Sequence, residues 1–214
     1  VSLPKEIQPN HAPVVVDRGN GTLTWLGAAC EPLAQVTVAT GFFANPHDVT
    51  VLADKLYVTR YEGNAKPTAV PGDFDEGSDV LIVDPAGALR GRIGLEAYAL
   101  RDGGKPTQPR PDRFAQVGGR VYVSLNNLAA DFKAAGPGRL VVIEPATDTV
   151  TGTIELAPLK NCGSLQRIPG TASLLAGCGG AFSDGDKQID GAGFAIVDTT
   201  ATPATVKLIP SKPF

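Results

Sequence analysis

The apolar positions of this chain fall in short bursts separated by Gly, Pro, Asn and Asp, and no stretch keeps the three-to-four-residue spacing of a helix. "KLYVTR", "DVLIV", "RVYVSL" and "RLVVIE" carry β-branched and aromatic residues in partial alternation, the pattern of strands packed on one or both faces. The bursts recur in order. Residues 55 to 95 read "KLYVTR", "SDVLIVDPAGAL", "RGRIGL"; residues 120 to 156 read "RVYVSLN", "GRLVVIEPATDT", "VTGTIEL"; residues 172 to 209 read "ASLLAGC", "AGFAIVDTTATPA", "TVKLI". An earlier copy reads "PVVVDRGN", "GTLTWLGAACEPL", "AQVTVAT". Asp84, Glu144 and Asp198 close the middle strands 60 and 54 residues apart, and Gly27 holds the matching place 57 residues before Asp84. The later three copies are each preceded by another apolar segment, "HDVTVLA", "DRFAQV" and "GSLQRI". The unit is therefore four strands. Such a period predicts a repeat fold, and four-stranded antiparallel sheets repeated radially make an all-β propeller with short, protected edges. Blades are expected over about residues 13–41, 46–97, 110–158 and 162–210, within one propeller domain or segment spanning 1–214.

"LYVTRYEGN" with "VLIVDPAGALRGRIGL", and "VYVSLNN" with "LVVIEPATDTVTGTIEL", resemble the YVTN-type β-propeller repeat, which runs from a Tyr-Val-Thr-Asn-like strand to an Ile-Asp-Pro-like strand and on to a Thr-Ile strand. The resemblance covers about residues 13 to 210, is strong in the two middle copies and weaker in the outer two, and departs at Arg60 and Leu125, where Asn is usual, and in loop lengths. It implies a ring of seven or eight blades, often in secreted or cell-surface proteins of bacteria and archaea, and no single activity. Only "VSLPKEIQPNHA" precedes "PVVV", so the first copy has little room for its innermost strand. Three complete blades and most of a fourth suit half of a larger ring, completed by a second propeller fragment or an identical chain; a self-contained four-bladed fold is the alternative.

Composition agrees with this class: 43% of the residues are apolar, only 19% are charged, and 25 Gly and 18 Pro supply the turns. The net charge of -3 has no Lys/Arg cluster behind it, which excludes nucleic acid as a partner. No apolar run approaches the roughly 20 residues of a transmembrane helix, and no signal-peptide pattern opens the chain. The absence of Met suggests a chain processed, trimmed or cut from a longer one. Cys162 and Cys178 flank "GSLQRIPGTASLLAG", with the turn signal Pro169-Gly170-Thr171 midway. Folding about Gly170 pairs Leu165 with Leu175 and sets the two cysteines opposite each other, which predicts a cross-strand disulfide and, with it, an extracellular, periplasmic or cell-surface setting; two buried thiols are the alternative. Cys30, in the turn-like "AACEPL", is expected to be a small buried side chain.

Candidate chemistry concentrates in the connection between the second and third strands of each blade. It spans Tyr61 to Ser78, Asn127 to Pro137 and Gly179 to Gly191, but shrinks to "RGN" in the first copy. In a propeller these loops share one face beside the channel, where long loops on a rigid scaffold bind. Two of them repeat D-x-D-x-x-x-D, as Asp73, Asp75, Asp79 and as Asp184, Asp186, Asp190. Such oxygen-rich loops suit Ca²⁺, although the complete twelve-residue calcium loop is missing and solvated acidic loops are the alternative. Arg60, Tyr61, Asn126, Asn127 and Phe182 stand at the strand ends feeding this face and are candidate ligand-binding residues. His11 and His47 each precede an outer blade strand and form a candidate copper or zinc pair without an evident third ligand. Trp25 is expected to pack between blades. Neither a G-x-S-x-G elbow nor a Gly-rich strand-to-helix turn occurs, and no catalytic residue is nominated. The expected function is a secreted or surface module that binds a protein, peptide or glycan, or scaffolds, through its long-loop face. The alternative is a hydrolase, lyase or quinone-dependent oxidoreductase with acids at the channel, assisted by a cation.

Overall fold

The structure, a computed structural model, describes residues 13–52, 54–68, 70–181 and 191–211. Among these, fifteen strands form four antiparallel sheets, and the helical content is one turn of 3-10 helix at Glu96–Tyr98. The expected all-β architecture and its four repeats are both present. The chain divides into two compact units, Val1–Leu95 and Glu96–Phe214, each holding two sheets.

In the first unit, β1 (Val14–Asp17), β2 (Thr22–Leu26) and β3 (Pro32–Thr37) make a three-stranded sheet in sequence order, and β4 (Pro46–Leu52), β5 (Lys55–Gly63), β6 (Gly77–Val83) and β7 (Leu89–Gly94) make a four-stranded one. The first sheet thus lacks the innermost strand among the described residues, as the short leader before "PVVV" suggests. Alternation sends Val14, Val16 and Leu23, with Trp25 and Val36, onto Val49, Val51, Leu56, Val58, Leu81 and Val83 of the second sheet. In the second unit, β8 (Pro111–Val117), β9 (Arg120–Leu125), β10 (Pro137–Glu144) and β11 (Thr149–Lys160) form one sheet, and β12 (Ser164–Arg167), β13 (Ser173–Gly179), β14 (Ala192–Asp198) and β15 (Thr205–Pro210) form the other. Their core joins Ala115, Tyr122, Leu140 and Val142 to Leu165, Leu174, Ala176, Ala195 and Val197.

The three complete blades enter their first strand through one backbone device. Asn45, Arg110 and Asn161 all take a left-handed conformation, with φ of 46°, 48° and 53°. Their carbonyls accept the amides of Tyr61, Asn126 and Gly179, and the carbonyls one residue earlier, on Ala44, Pro109 and Lys160, accept Glu62, Asn127 and Gly180. The ladder then slips by one residue: Pro46 pairs with Arg60 but Val49 with Val58, and Pro111 pairs with Leu125 but Phe114 with Val123. This is a β-bulge, two residues facing one. In two blades a hydroxyl repairs it, as Thr59 Oγ1 accepts the Asp48 amide at 2.9 Å and Ser124 Oγ accepts the Arg113 amide at 3.0 Å. In the fourth blade the equivalent pair of positions is Cys162 and Cys178, and they are joined as a disulfide.

The expected disulfide is therefore present, but the expected hairpin register is corrected. Leu165 pairs with Ala176, not Leu175, because the turn closes between Ile168 and Ser173 and the extra residue sits at the bulge. Gly138 lies so close to Cys162 Sγ that any Cβ there would clash, which explains a glycine inside β10. Cys30 is exposed and free, not buried. It sits at φ 61° in the β2–β3 turn, donating its amide to Gly27 O, where the β6–β7 turn uses Gly87 on Asp84 O.

The periodic acids cap these turns. Asp84 Oδ1 accepts the amides of Ala86 and Ala88, while Arg90 binds its other oxygen; Asp198 Oδ1 accepts both the amide and hydroxyl of Thr200; Glu144 accepts the Ala146 amide. The backbone bond from Ala88, then Arg90, holds the Asp84 carboxyl below its ordinary range, and the Thr200 amide and hydroxyl do the same for Asp198.

Two outcomes follow from this architecture. Replacing Cys162 and Cys178 together by Ala should lower unfolding free energy in urea by about 3 kcal/mol, the loop-closure value for a crosslink of this span. The depressed pKa values of Asp84 and Asp198 mean that their capping contribution is full above the unfolded-state pKa and is lost as pH falls through the lower folded value. Carboxyl NMR titration should give both residues midpoints below those of the same sequences in unfolded peptides; matching midpoints would remove the capping role.

Candidate functional site

The side chains nominated at the ends of the second strands lie at the bulged entrances just described, and most are anchors. Arg60 is fully buried, with 0% exposure. Its guanidinium meets Asp79 in a fork, Nε to Oδ1 at 2.8 Å and Nη2 to Oδ2 at 2.6 Å, and Nη1 donates to Thr40 Oγ1 at 2.6 Å. Phe42 covers it, with the ring centroid 5.3 Å from Cζ. Arg92 adds a second cation to Asp79 at 2.8 Å. Arg60 is thus a buried structural cation and not an exposed ligand contact. Beside it, Tyr61 stacks on His47 with centroids 4.1 Å apart and planes 6° from parallel. Arg18 holds this pair from the tight β1–β2 turn, donating through Nε to Asn45 Oδ1 at 3.0 Å and through Nη2 to His47 Nε2. That turn is short because Asp17 caps it, accepting the amides of Gly19 and Asn20. Asn20, first by its side chain and then by its amide, holds the Asp17 carboxyl below the ordinary range.

The first acidic loop divides its carboxylates among separate tasks. Asp79 serves the two arginines; Asp75 Oδ2 accepts the Thr68 amide at 2.7 Å; Asp73 Oδ2 accepts the Thr68 hydroxyl at 3.4 Å. Strand register sets Asp79 against Arg60, so this member of the candidate calcium set is already engaged by cations. Among the described residues, no group of three or more His, Cys, Asp or Glu is arranged to hold a metal ion. Phe182, Asp184, Asp186, Asp190 and His11 lie outside the described residues.

In the second unit the same entrance carries Arg110, Asp112, Asn126 and Asn127. Asn126 Nδ2 approaches Asp112 Oδ2 at 3.4 Å, and the Cα of Gly163 presses on both, since a Cβ there would come 2.6 Å from Asp112 Oδ2. Asn127 takes a left-handed conformation at φ 50°, and its Nδ2 donates to Pro137 O at 2.7 Å; both asparagines are buried. Arg110, 1% exposed, was not singled out from sequence. Its guanidinium lies under Phe132, Cζ 4.1 Å from the ring centroid, and Nη2 reaches Ala130 O at 3.4 Å. The loop above it is closed by backbone bonds, Ala129 N to Ala134 O and Gly136 N to Asn127 O, and joined to the preceding segment by Gln108 N to Leu128 O. Between that segment and the loop opens a pocket of about 600 Å³, walled by Pro106, Ala129 and Ala134 and edged by Lys105, Lys133 and Gln108. Gln108 Oε1 is buried without a hydrogen-bond partner. An apolar wall with a few polar groups at its edge is the form of a ligand pocket.

No family model matches the sequence, and no curated protein matches it significantly. Solved structures do resemble it. Hydrazine synthase from Kuenenia stuttgartiensis is similar at a TM-score of 0.62 and 10% identity over 94% of this chain and 51% of that one. A protein of unknown function from Bacteroides caccae is similar at a TM-score of 0.59 and 12% identity, over 90% of this chain and 61% of that one. At these identities the likeness shows the fold alone: this chain is a β-propeller with four blades in the matched stretch. It spans about half the length of the first structure and less than two thirds of the second.

Asp79→Ala should cost about 3–5 kcal/mol in urea unfolding, because it strands the buried Arg60 charge. The double variant Arg60→Met, Asp79→Leu should cost clearly less than Asp79→Ala alone. Equal costs would mean that the pair is not the electrostatic unit described.

Proposed function

We propose that this chain is a binding module, acting from an extracellular, periplasmic or cell-surface location, that takes a peptide, protein or glycan group on its long-loop face. The observation that carries this reading is the pocket of about 600 Å³ on the second-to-third-strand loop of the third blade. Its loop is fixed from below by Arg110 and Phe132 and from within by its own backbone bonds, so the concavity is formed before a ligand arrives, which lowers the ordering cost of binding. Two lysines against one acid, Asp131, at its edge favour a ligand bearing negative charge. The disulfide and the absence of any described helix long and apolar enough to cross a membrane agree with an oxidising compartment. The likeness of the middle repeats to the YVTN type fits the same setting. Asp79 and Asp112 are each engaged by arginine or amide partners within their own blade, and no observation favours catalysis over binding.

Glycan and peptide arrays probed with this chain should return ligands enriched in carboxylate, sulfate or phosphate groups. Lys105→Glu with Lys133→Glu, both at exposed positions, should weaken those hits at least about tenfold, or 1.4 kcal/mol, without changing the melting temperature. Hits that survive the double charge reversal would place binding elsewhere.

A further inference from the structure

The third and fourth blades lie in one unit, and the side of the third blade that meets the fourth can be read position by position. It is built from Ala115, Tyr122, Leu140, Val142 and the partly buried Ile154. In register, Ala115 faces Tyr122, Tyr122 faces Val142, and Leu140 faces Ile154. The bulge equivalence carries this frame onto the fourth blade, where Gln166 faces Leu175, Leu175 faces Ile196, and Phe194 faces Ile209. Leu175, Phe194, Ile196 and Ile209 therefore occupy the places of Tyr122, Leu140, Val142 and Ile154.

Their surroundings differ sharply. Tyr122, Leu140 and Val142 are 5%, 0% and 8% exposed, whereas Leu175, Phe194 and Ile209 are 37%, 53% and 42% exposed. Scattered exposed hydrophobics are ordinary, but adjacent ones on a single sheet face mark an interaction surface. Gln166 on β12 and Lys207 on β15 border the patch, which gives it an apolar centre and polar edges. What covers the equivalent positions of the third blade is a four-stranded sheet presenting Leu165, Leu174, Ala176, Ala195 and Val197. A second copy of this chain packed head to tail would instead bring the free side of the first sheet. There alternation places Val15, Thr22 and Thr24, opposite the buried Val14, Val16 and Leu23, and Gln35 donates to Thr24 Oγ1 at 2.8 Å. That side mixes Val15 with Thr22, Thr24 and Gln35 and is a poorer match than the apolar sheet that covers the third blade.

We propose that the outward side of the fourth blade is a docking surface for a further β-propeller blade with an apolar facing side, supplied by polypeptide outside these 214 residues. Both similar solved structures extend well beyond the stretch that this chain matches, which fits an assembly that continues past the fourth blade. The inference is independent of the loop-face pocket and stands or falls without it.

The test is a tandem chain in which a second copy of residues 162–211 follows residue 211 through the connection that naturally joins the third and fourth blades, produced under oxidising conditions. Amide hydrogen exchange in the appended blade should slow at least about tenfold relative to its unfolded rate. With Phe194→Lys and Ile209→Lys in the recipient blade, that protection should be lost, while the parent chain carrying the same two changes keeps its melting temperature. An appended blade that stays unprotected on the natural face, or is equally protected on the lysine-bearing face, overturns the proposal. A fall in the parent's melting temperature would make Phe194 part of its own core and overturn it too. A stable dimer of the parent chain that buries Phe194 would assign the face to a second copy, with the same effect.

Discussion

The bulge at the entrance of each first strand is the constraint on which the complete blades depend. A left-handed residue at Asn45, Arg110 or Asn161 turns the backbone so that two successive carbonyls meet two successive amides at the end of the neighbouring strand. One residue is then left over, and the ladder slips. A bulge bends and twists its strand, so each complete blade carries the same local irregularity at the start of its first strand. Left-handed backbone is cheap for Asn and costs more for Arg. Arg110 holds that conformation where its guanidinium is buried beneath Phe132, so a contact that fixes the loop accompanies the strained turn.

The pair of positions next to the bulge shows how one geometric requirement admits several chemistries. It is filled by Pro46 and Arg60, by Pro111 and Leu125, and by Cys162 and Cys178. A crosslink there restricts the unfolded chain, a leucine contributes burial, and an arginine requires a buried carboxylate, which Asp79 provides across β6. The ionic version is the least forgiving. Burying Arg60 costs desolvation that the fork with Asp79, the Thr40 hydroxyl, the Val38 carbonyl and the Phe42 ring offset, so β5 and β6 must keep their register for the site to exist. This fixes the relation between the inner strand and the acidic loop without asking the loop itself to be rigid.

The repeat, the four-strand unit and the disulfide were all legible in the sequence, because each rests on local periodicity or spacing. The hairpin register between Cys162 and Cys178 was missed by one residue, since a bulge leaves no mark in a pattern that counts symmetrically from Gly170. Arg60 at a strand end suggests a ligand contact and Asp79 in the acidic spacing suggests a cation ligand; their mutual burial is a tertiary fact between residues 19 apart in sequence. Asn126 and Asn127 stand at the loop entrance as their sequence position suggests, where Asn126 Nδ2 meets the Asp112 carboxylate and Asn127 Nδ2 a backbone carbonyl. Arg110 and His47 carried one faint signal: "NPHDV" and "RPDRF" repeat a residue–Pro–polar–polar–apolar order at the start of the first strand. Aligning the blades on that order, and not only on the Tyr-Val strand, places Arg110 opposite Asn45 and exposes the entrance as a repeated structural position.

Separating anchors from contacts changes where binding chemistry is to be sought. A side chain already committed to two or three internal partners can give little to a ligand without giving up its own stabilisation, because leaving a buried donor or charge unsatisfied costs more than a typical contact returns. Arg60 and Asp79 are in that position. The groups at the edge of the third-blade pocket are not fixed in this way: Lys105 and Lys133 are exposed, and the walls between them are small and apolar. The loop that carries Lys133 is held by Arg110 from the bulge below, so the rigidity of the entrance is passed to that side of the rim while its side chains stay available. The division of labour, buried polar residues for shape and rim residues for contact, lets the loops change their ligand chemistry while the entrances keep the blades in register.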